Sequence, residues 1–167
     1  EVITLAIPII FSNLSRVIMG LTDMAMVSRL GAVALAATGM GSLLLWVIMS
    51  MGIGLRTAVQ TVTSRRLGQK IFHECGHALH NGIMLAFILA IPATLLGTYY
   101  SVEIAEIFLQ DSDVIPQCAS YMYIGFYGIF FVLSGFAFQG FYTGIEQTKI
   151  HMKVTIVSNL INVYLNA

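Results

Sequence analysis

The residues able to do chemistry are few, and the most costly of them is Asp23. It lies near the end of an apolar run that begins at Val2, and Met, Ala, Val and Leu follow it before Gly31. A carboxylate inside a membrane span costs at least ~2.5–3.5 kcal/mol, so it must face a cavity, a partner or an ion. Snorkelling from the helix end suits a longer side chain, because Gly31 is about 12 Å further along the helix. Asn13, Arg16 and Gly20 precede Asp23 at spacings of three or four and extend it into one polar stripe. Arg16 stands two turns, about 10 Å, from Asp23. It either shares that site or pairs with a backbone carbonyl or an acid elsewhere in the protein.

At the other end of the chain, Asn159, Asn162 and Asn166 recur at i, i+3, i+7 and fall on one helix face. Three amides on one stripe are expensive unless they meet polar groups across a bundle, where they either serve a site or hold helices together. Asn166 is about 22 Å from His151 along the helix, which puts it at the depth of Asp23. Tyr121, counted from the outer end of its own span, falls in the same layer. Gln139 falls near the inner end of that span. A carboxylate, amide carbonyls and a phenol are oxygen ligands, suited to a hard cation such as Na⁺ or to a proton relay.

A second motif, His73-Glu-Cys-Gly-His77, matches H-E-x-x-H, which on a helix offers two imidazoles to zinc with Glu74 as base. His80 adds a possible ligand three residues on. Against a zinc site stand its place in a short loop after Arg65 and Arg66, the poor helix former Gly76, and the lack of a clear third acidic ligand. The plain alternative is a solvated helix start with chance spacing.

The elements that position these groups follow from composition. Of the 167 residues, 57% are hydrophobic and 10% charged, with a mean hydropathy of +0.86. Soluble domains carry about 25% charged residues, so this is an integral membrane protein. Net charge is zero, and no basic surface points to nucleic acid. Spans of about 20 apolar residues fall at roughly 2–28, 34–57, 78–100, 115–140 and 151–167. The fold class is therefore an all-α, polytopic transmembrane bundle. The segment from Val102 to Leu109 reads as a short interfacial helix. Glu1 and the stop at Ala167 inside an apolar run read as the edges of a piece of a longer protein, with no signal peptide.

Lys and Arg favour the cytoplasmic side. Arg65, Arg66 and Lys70 follow span two, and Lys149 and Lys153 follow span four. The connection after span three carries Glu103, Glu106, Asp111 and Asp113 and no base. The chain start is thus expected in the cytoplasm and Asp23 in the outer half of span one. Cys75 and Cys118 then lie on opposite sides and should not pair.

These residues resemble the multidrug and toxic compound extrusion transporters. The matching pieces are Pro8 with Ser12-Asn-Leu14, then Asp23-Met-Ala-Met-Val27 with Arg29-Leu-Gly-Ala32 and Leu35-Ala-Ala37. Gly52-Ile-Gly54, Gln60-Thr61 and Ser64-Arg-Arg-Leu-Gly68 follow. The last pieces are Gly144, Thr148-Lys149, Asn159-Leu-Ile-Asn162 and Leu165-Asn166. The resemblance implies about five spans of a six-helix N-terminal lobe, the whole protein having twelve helices in two pseudo-symmetric lobes. It implies a secondary active exporter in the bacterial inner membrane, exchanging organic cations or drugs for Na⁺ or H⁺, with no cofactor and no enzymatic reaction. By position, Asp23 matches the family's essential acid. Tyr121, Asn162 and Asn166 match residues lining the ion and substrate cavity, and Gln139 matches less securely. Asn13, Arg16 and Asn159 are further cavity candidates from their stripes. Two departures leave the coupling ion open: Asn166 where some members have a second acid, and Arg16 where an uncharged residue is usual. One rival is a lipid-linked sugar flippase of related architecture, which calls for a cationic cluster of which only Arg16 is evident. The other is a membrane zinc metalloprotease using His73, Glu74 and His77.

Overall fold

The computed structural model describes residues 2–166, with side chains described from residue 6 to residue 164. These form six helices: α1 (Val2–Ser28), α2 (Ala32–Gly68), α3 (Phe72–Tyr99), α4 (Ser101–Phe108), α5 (Val114–Gly144) and α6 (Thr148–Asn166). By length and composition, α2, α3 and α5 can each cross a membrane. The apolar runs of α1 and α6 are interrupted by Asn13, Arg16 and Asp23 and by Asn159 and Asn162. α2 has 37 residues and is about 55 Å long at ~1.5 Å per residue, well beyond a ~30 Å hydrocarbon core. Its last turns, with Arg65 and Arg66, extend past any bilayer it spans.

The helix ends are set by backbone chemistry. After α1 the chain turns at Gly31, whose φ of 108° suits glycine. α2 and α5 end alike, with Lys70 and Glu146 both at φ 61°. The Ile71 N–H donates to the Arg66 carbonyl at 3.1 Å, and the Gln147 N–H to the Tyr142 carbonyl at 2.8 Å. These bonds satisfy carbonyls that the helix end leaves open. They offset the roughly 1–2 kcal/mol that a left-handed non-glycine residue costs.

The centre of the bundle is the α2–α5 pair, side by side and in the same direction. The register reads from contacts at glycines: Gly41 meets Tyr121, Gly125 meets Leu45, Gly52 meets Phe136 and Gly140 meets the Arg56 backbone. Small residues let helices approach closely where lipid supplies no hydrophobic drive. α3 runs antiparallel to this pair and presents a buried stripe of small residues, Cys75, Ala78, Gly82, Ala86, Ala90 and Gly97. The Thr94 hydroxyl donates to the Phe126 carbonyl at 3.0 Å and ties α3 to α5. α1 packs chiefly on α6 and more lightly on α2. An Asn159 Nδ2 to Ser15 Oγ hydrogen bond of 2.7 Å joins α1 to α6. Such bonds contribute about 0.6 kcal/mol on average. Cys75 and Cys118 are both buried and free.

Candidate functional site

Four helices converge on a cavity of about 730 Å³. α1 contributes Gly20 and Asp23, α2 contributes Thr38 and Ser42, α5 contributes Tyr121 and α6 contributes Asn162. Met24, Met26 and Val27 of α1, with Leu30 in the turn after it, complete a mostly apolar wall. Gly20 and Asp23 share a face by their spacing of three, so the absent side chain at Gly20 leaves room beside the carboxylate. Asp23 is half-buried, and its charge acts on the Tyr121 phenol across the cavity.

The hydroxyls present oxygen rather than hydrogen. Thr38 Oγ1 donates its proton to the Ala34 carbonyl at 2.9 Å, and Ser42 Oγ donates to the Gly39 carbonyl at 2.8 Å. With the proton used inside the helix, the remaining lone pairs can accept from a ligand or bind a cation. A carboxylate, two hydroxyl oxygens, a phenol and an amide give a set of oxygen donors with one negative charge. That set suits a monovalent hard cation, a proton or an organic cation.

The sequence-derived candidates divide. Asp23, Tyr121 and Asn162 come together in the cavity. Asn166 is in α6, but its side chain lies outside the described residues. Asn159 turns to Ser15 and holds α6 to α1. Asn13 and Arg16 are exposed and do not line the cavity. Gln139 is buried at 3% exposure within α5, where its backbone carbonyl accepts from Thr143 Oγ1 at 2.7 Å. Thr38 and Ser42 were not singled out by sequence. Both follow the common pattern of a hydroxyl bonded to its own helix, which carries no penalty that would mark them.

Arg56 is the more consequential omission. It is half-buried in α2, and its charge, that of Arg16 and the His151 ring lie within electrostatic reach of one another. The His151 Nε2 is buried, with no hydrogen-bond partner among the described residues. Arg16 is therefore not the only cation at membrane depth. α1, α2 and α6 bring three basic side chains together nearer the Arg65–Arg66 end than Asp23 is. The His73, Glu74 and His77 ligand atoms lie within 4.8 Å of one another, on the opening turns of α3 rather than in a loop.

The MatE family model matches residues 8–167. The multidrug resistance protein NorM of Vibrio cholerae is 23% identical over 168 residues, covering 99% of this chain and 36% of that protein. A transporter of the MOP superfamily from Pyrococcus furiosus, described by a binding pocket of reverse polarity, superposes with a TM-score of 0.92. It is 19% identical over 98% of this chain and 36% of its own. The MATE transporter ClbM, solved in complex with Rb⁺, gives a TM-score of 0.87 at 20% identity, over 98% of this chain and 37% of its own. The chain thus spans about a third of the length of the proteins it matches.

Proposed function

The chain belongs to the MatE family, and from that we propose that it forms most of the N-terminal lobe of a secondary active multidrug exporter that exchanges Na⁺ or H⁺ for organic cations. The observation that carries this reading is the cavity around Asp23, where one carboxylate on α1 faces oxygen donors from three further helices. One carboxylate neutralises one cation at a time. An inward-moving ion and an outward-moving organic cation therefore compete for Asp23, and that exclusion is what an antiporter needs. Tyr121, Asn162 and the hydroxyls of Thr38 and Ser42 supply oxygen to a bound ion. The proposed role of Asn166 is the same. The apolar wall accepts the body of a drug. A second lobe of the same protein supplies the opposite wall, and the two rock about the site to give alternating access. The MATE transporter ClbM, of the same fold, was solved in complex with Rb⁺, in keeping with a monovalent cation as a ligand. The proposed setting is the bacterial inner membrane, with the Arg65–Lys70 end in the cytoplasm as Lys and Arg counting requires.

The test uses the full-length transporter in proteoliposomes with imposed Na⁺ or pH gradients. Asp23→Asn keeps the volume and removes the charge. Gradient-driven export of a fluorescent organic cation should fall to background, with insertion and protein amount unchanged. Full transport by the variant would move coupling out of this lobe.

A second reading rests on Arg16, Arg56 and His151. A lipid-linked sugar carries a diphosphate, and a flippase for it needs cations at membrane depth. Bidentate guanidinium contacts fit such an anion. In the same vesicles, Arg16→Gln with Arg56→Gln should abolish movement of a fluorescent lipid diphosphate if this reading holds. Under the exporter reading that pair lowers stability but keeps organic-cation export per folded, inserted protein, and Asp23→Asn does not.

A further inference from the structure

We propose that the opening turns of α3 carry a divalent transition-metal site, with His73 Nε2 and His77 Nε2 as its ligands and Glu74 orienting His73. The site is on the protein surface and separate from the Asp23 cavity. Three of the four histidines in the chain, His73, His77 and His80, fall within eight residues of this one helix.

Helix geometry gathers the two rings. At about 100° per residue, His77 lies only ~40° around the axis from His73, and Glu74 lies ~100° from it. Cys75 falls on the far side and is the buried residue of this turn, its Sγ 3.7 Å from the Thr63 carbonyl of α2. α3 thus packs through Cys75 and turns the histidines outward. His73 and His77 are both exposed.

The distance between the rings matches a metal's requirement. His73 Nε2 and His77 Nε2 are 3.2 Å apart. Two nitrogens bound tetrahedrally at ~2.0–2.1 Å are separated by about 3.3–3.4 Å. A hydrogen bond spans such a gap in the metal-free state; a metal ion sits to one side of the line between the nitrogens, so the rings keep their separation and each turns to aim its lone pair at the ion. The rings meet edge to face at 90°, with centroids 4.8 Å apart. Glu74 Oε1 lies 3.8 Å from His73 Nδ1. A small side-chain rotation lets the carboxylate accept the Nδ1–H, which fixes the tautomer that leaves the Nε2 lone pair for the metal. Metal-bound histidines commonly use their other nitrogen in this way. Turned to His73, Glu74 does not act as a base on metal-bound water, so the site is structural rather than hydrolytic. Water completes the coordination.

The position has a consequence for folding. α3 starts directly after the tight turn at Lys70, and its N-cap residue, Ile71, makes no side-chain cap bond. A metal across positions i and i+4 clips the first turn of a helix that lacks a side-chain cap. Zn²⁺ should therefore order the α2–α3 connection.

The full-length protein, stripped of metal, is titrated with Zn²⁺ against a fluorescent chelator. We expect one Zn²⁺ per chain. His73→Ala or His77→Ala should weaken binding at least ~10-fold, and Glu74→Gln about 10-fold, the lower end for loss of an orienting partner. His80→Ala should leave affinity unchanged. Hydrogen exchange across residues 71–80 should slow when Zn²⁺ is added to the wild type and not to His77→Ala. Unchanged affinity in both His73→Ala and His77→Ala would overturn the proposal, as would a loss on His80→Ala equal to that on His77→Ala. These surface variants leave the Asp23 cavity alone, so transport activity reports separately on the exporter reading.

Discussion

Tyr121 can stand in the cavity because residue 41 has no side chain. A Cβ built on Gly41 would lie 2.6 Å from Tyr121 Cδ1, 3.4 Å from Cε1 and 3.5 Å from Met122 Cγ. Carbon atoms in good contact are about 3.5–4.0 Å apart, so in Gly41→Ala the ring must retreat by about 1 Å. Met122 is completely buried and closes one direction. The cavity is the other, and Tyr121 keeps 39% of its surface exposed. The ring therefore swings into the space beside Asp23 while the backbone stays in place. Overpacking in a closed core costs ~1–3 kcal/mol, and with this exit the cost should be near the lower end, about 1 kcal/mol. The effect on binding is larger in kind, because the displaced phenol takes the place of the ligand. We expect the affinity of the full-length transporter for a fluorescent organic cation to fall about tenfold, which is ~1.4 kcal/mol. Thermal unfolding in detergent should show only a small loss. A double-mutant cycle with Tyr121→Ala isolates the contact. In that background Gly41→Ala should be nearly neutral in stability, giving a coupling of ~1 kcal/mol, within the range for touching residues. An equal cost in both backgrounds would refute the argument that Gly41 positions Tyr121.

Two further outcomes are expected. Gly140→Ala places a methyl group against the backbone carbonyl of Arg56, which cannot swing aside, so α2 and α5 must separate at a cost of at least ~3 kcal/mol; Gly135→Ala, with nothing within 4 Å, should stay within ~0.5 kcal/mol of wild type, both read by thermal unfolding. Single cysteines at Gln69 and Ser112, both exposed, should label with an impermeant reagent from opposite sides of the membrane, against a low background because Cys75 and Cys118 are buried; labelling from one side would overturn the orientation.

What was legible in the sequence is what is costly. Asp23 announced itself because a carboxylate in an apolar run has to be explained, and the structure puts it in a cavity. The helical regions could be read from hydropathy alone, because lipid leaves the backbone little choice but helix or closed barrel. Periodicity fared less well with neighbours. Asn159 and Asn162 are ~60° apart around α6, close enough to count as one stripe, yet one meets Ser15 on α1 and the other lines the cavity. A polar stripe of that width addresses two surroundings, and spacing cannot divide it. Thr38 and Ser42 were silent for the opposite reason, since each satisfies its own proton within α2 and leaves no cost to notice.

Arg56 shows how a costly residue can also be hidden. Counted to residue 57, span two ends at Arg56, where a cation is unremarkable. The sequence reads as a more polar helix continuing to Arg65-Arg66, and α2 runs on to Gly68, about 18 Å past Arg56; those trailing polar residues masked how deep Arg56 sits. Gly140 then draws the α5 backbone onto the Arg56 carbonyl, which holds this turn of α2 inside the bundle beside Arg16 and His151. The guanidinium charges of Arg16 and Arg56 repel each other, and beside the half-buried Arg56 that repulsion is screened less than in water. An anion is needed to offset it. In the exporter reading an acid from the second lobe supplies it, and in the flippase reading the diphosphate of the ligand does. The two differ in one measurable respect. An acid of the protein makes Arg16→Gln with Arg56→Gln destabilising without any ligand, because it strands a buried carboxylate. A ligand anion leaves the empty protein as stable as before, or more so, and removes the stabilisation that added lipid diphosphate gives. Thermal unfolding of the double variant, with and without that lipid, therefore separates the readings even in a protein that no longer transports.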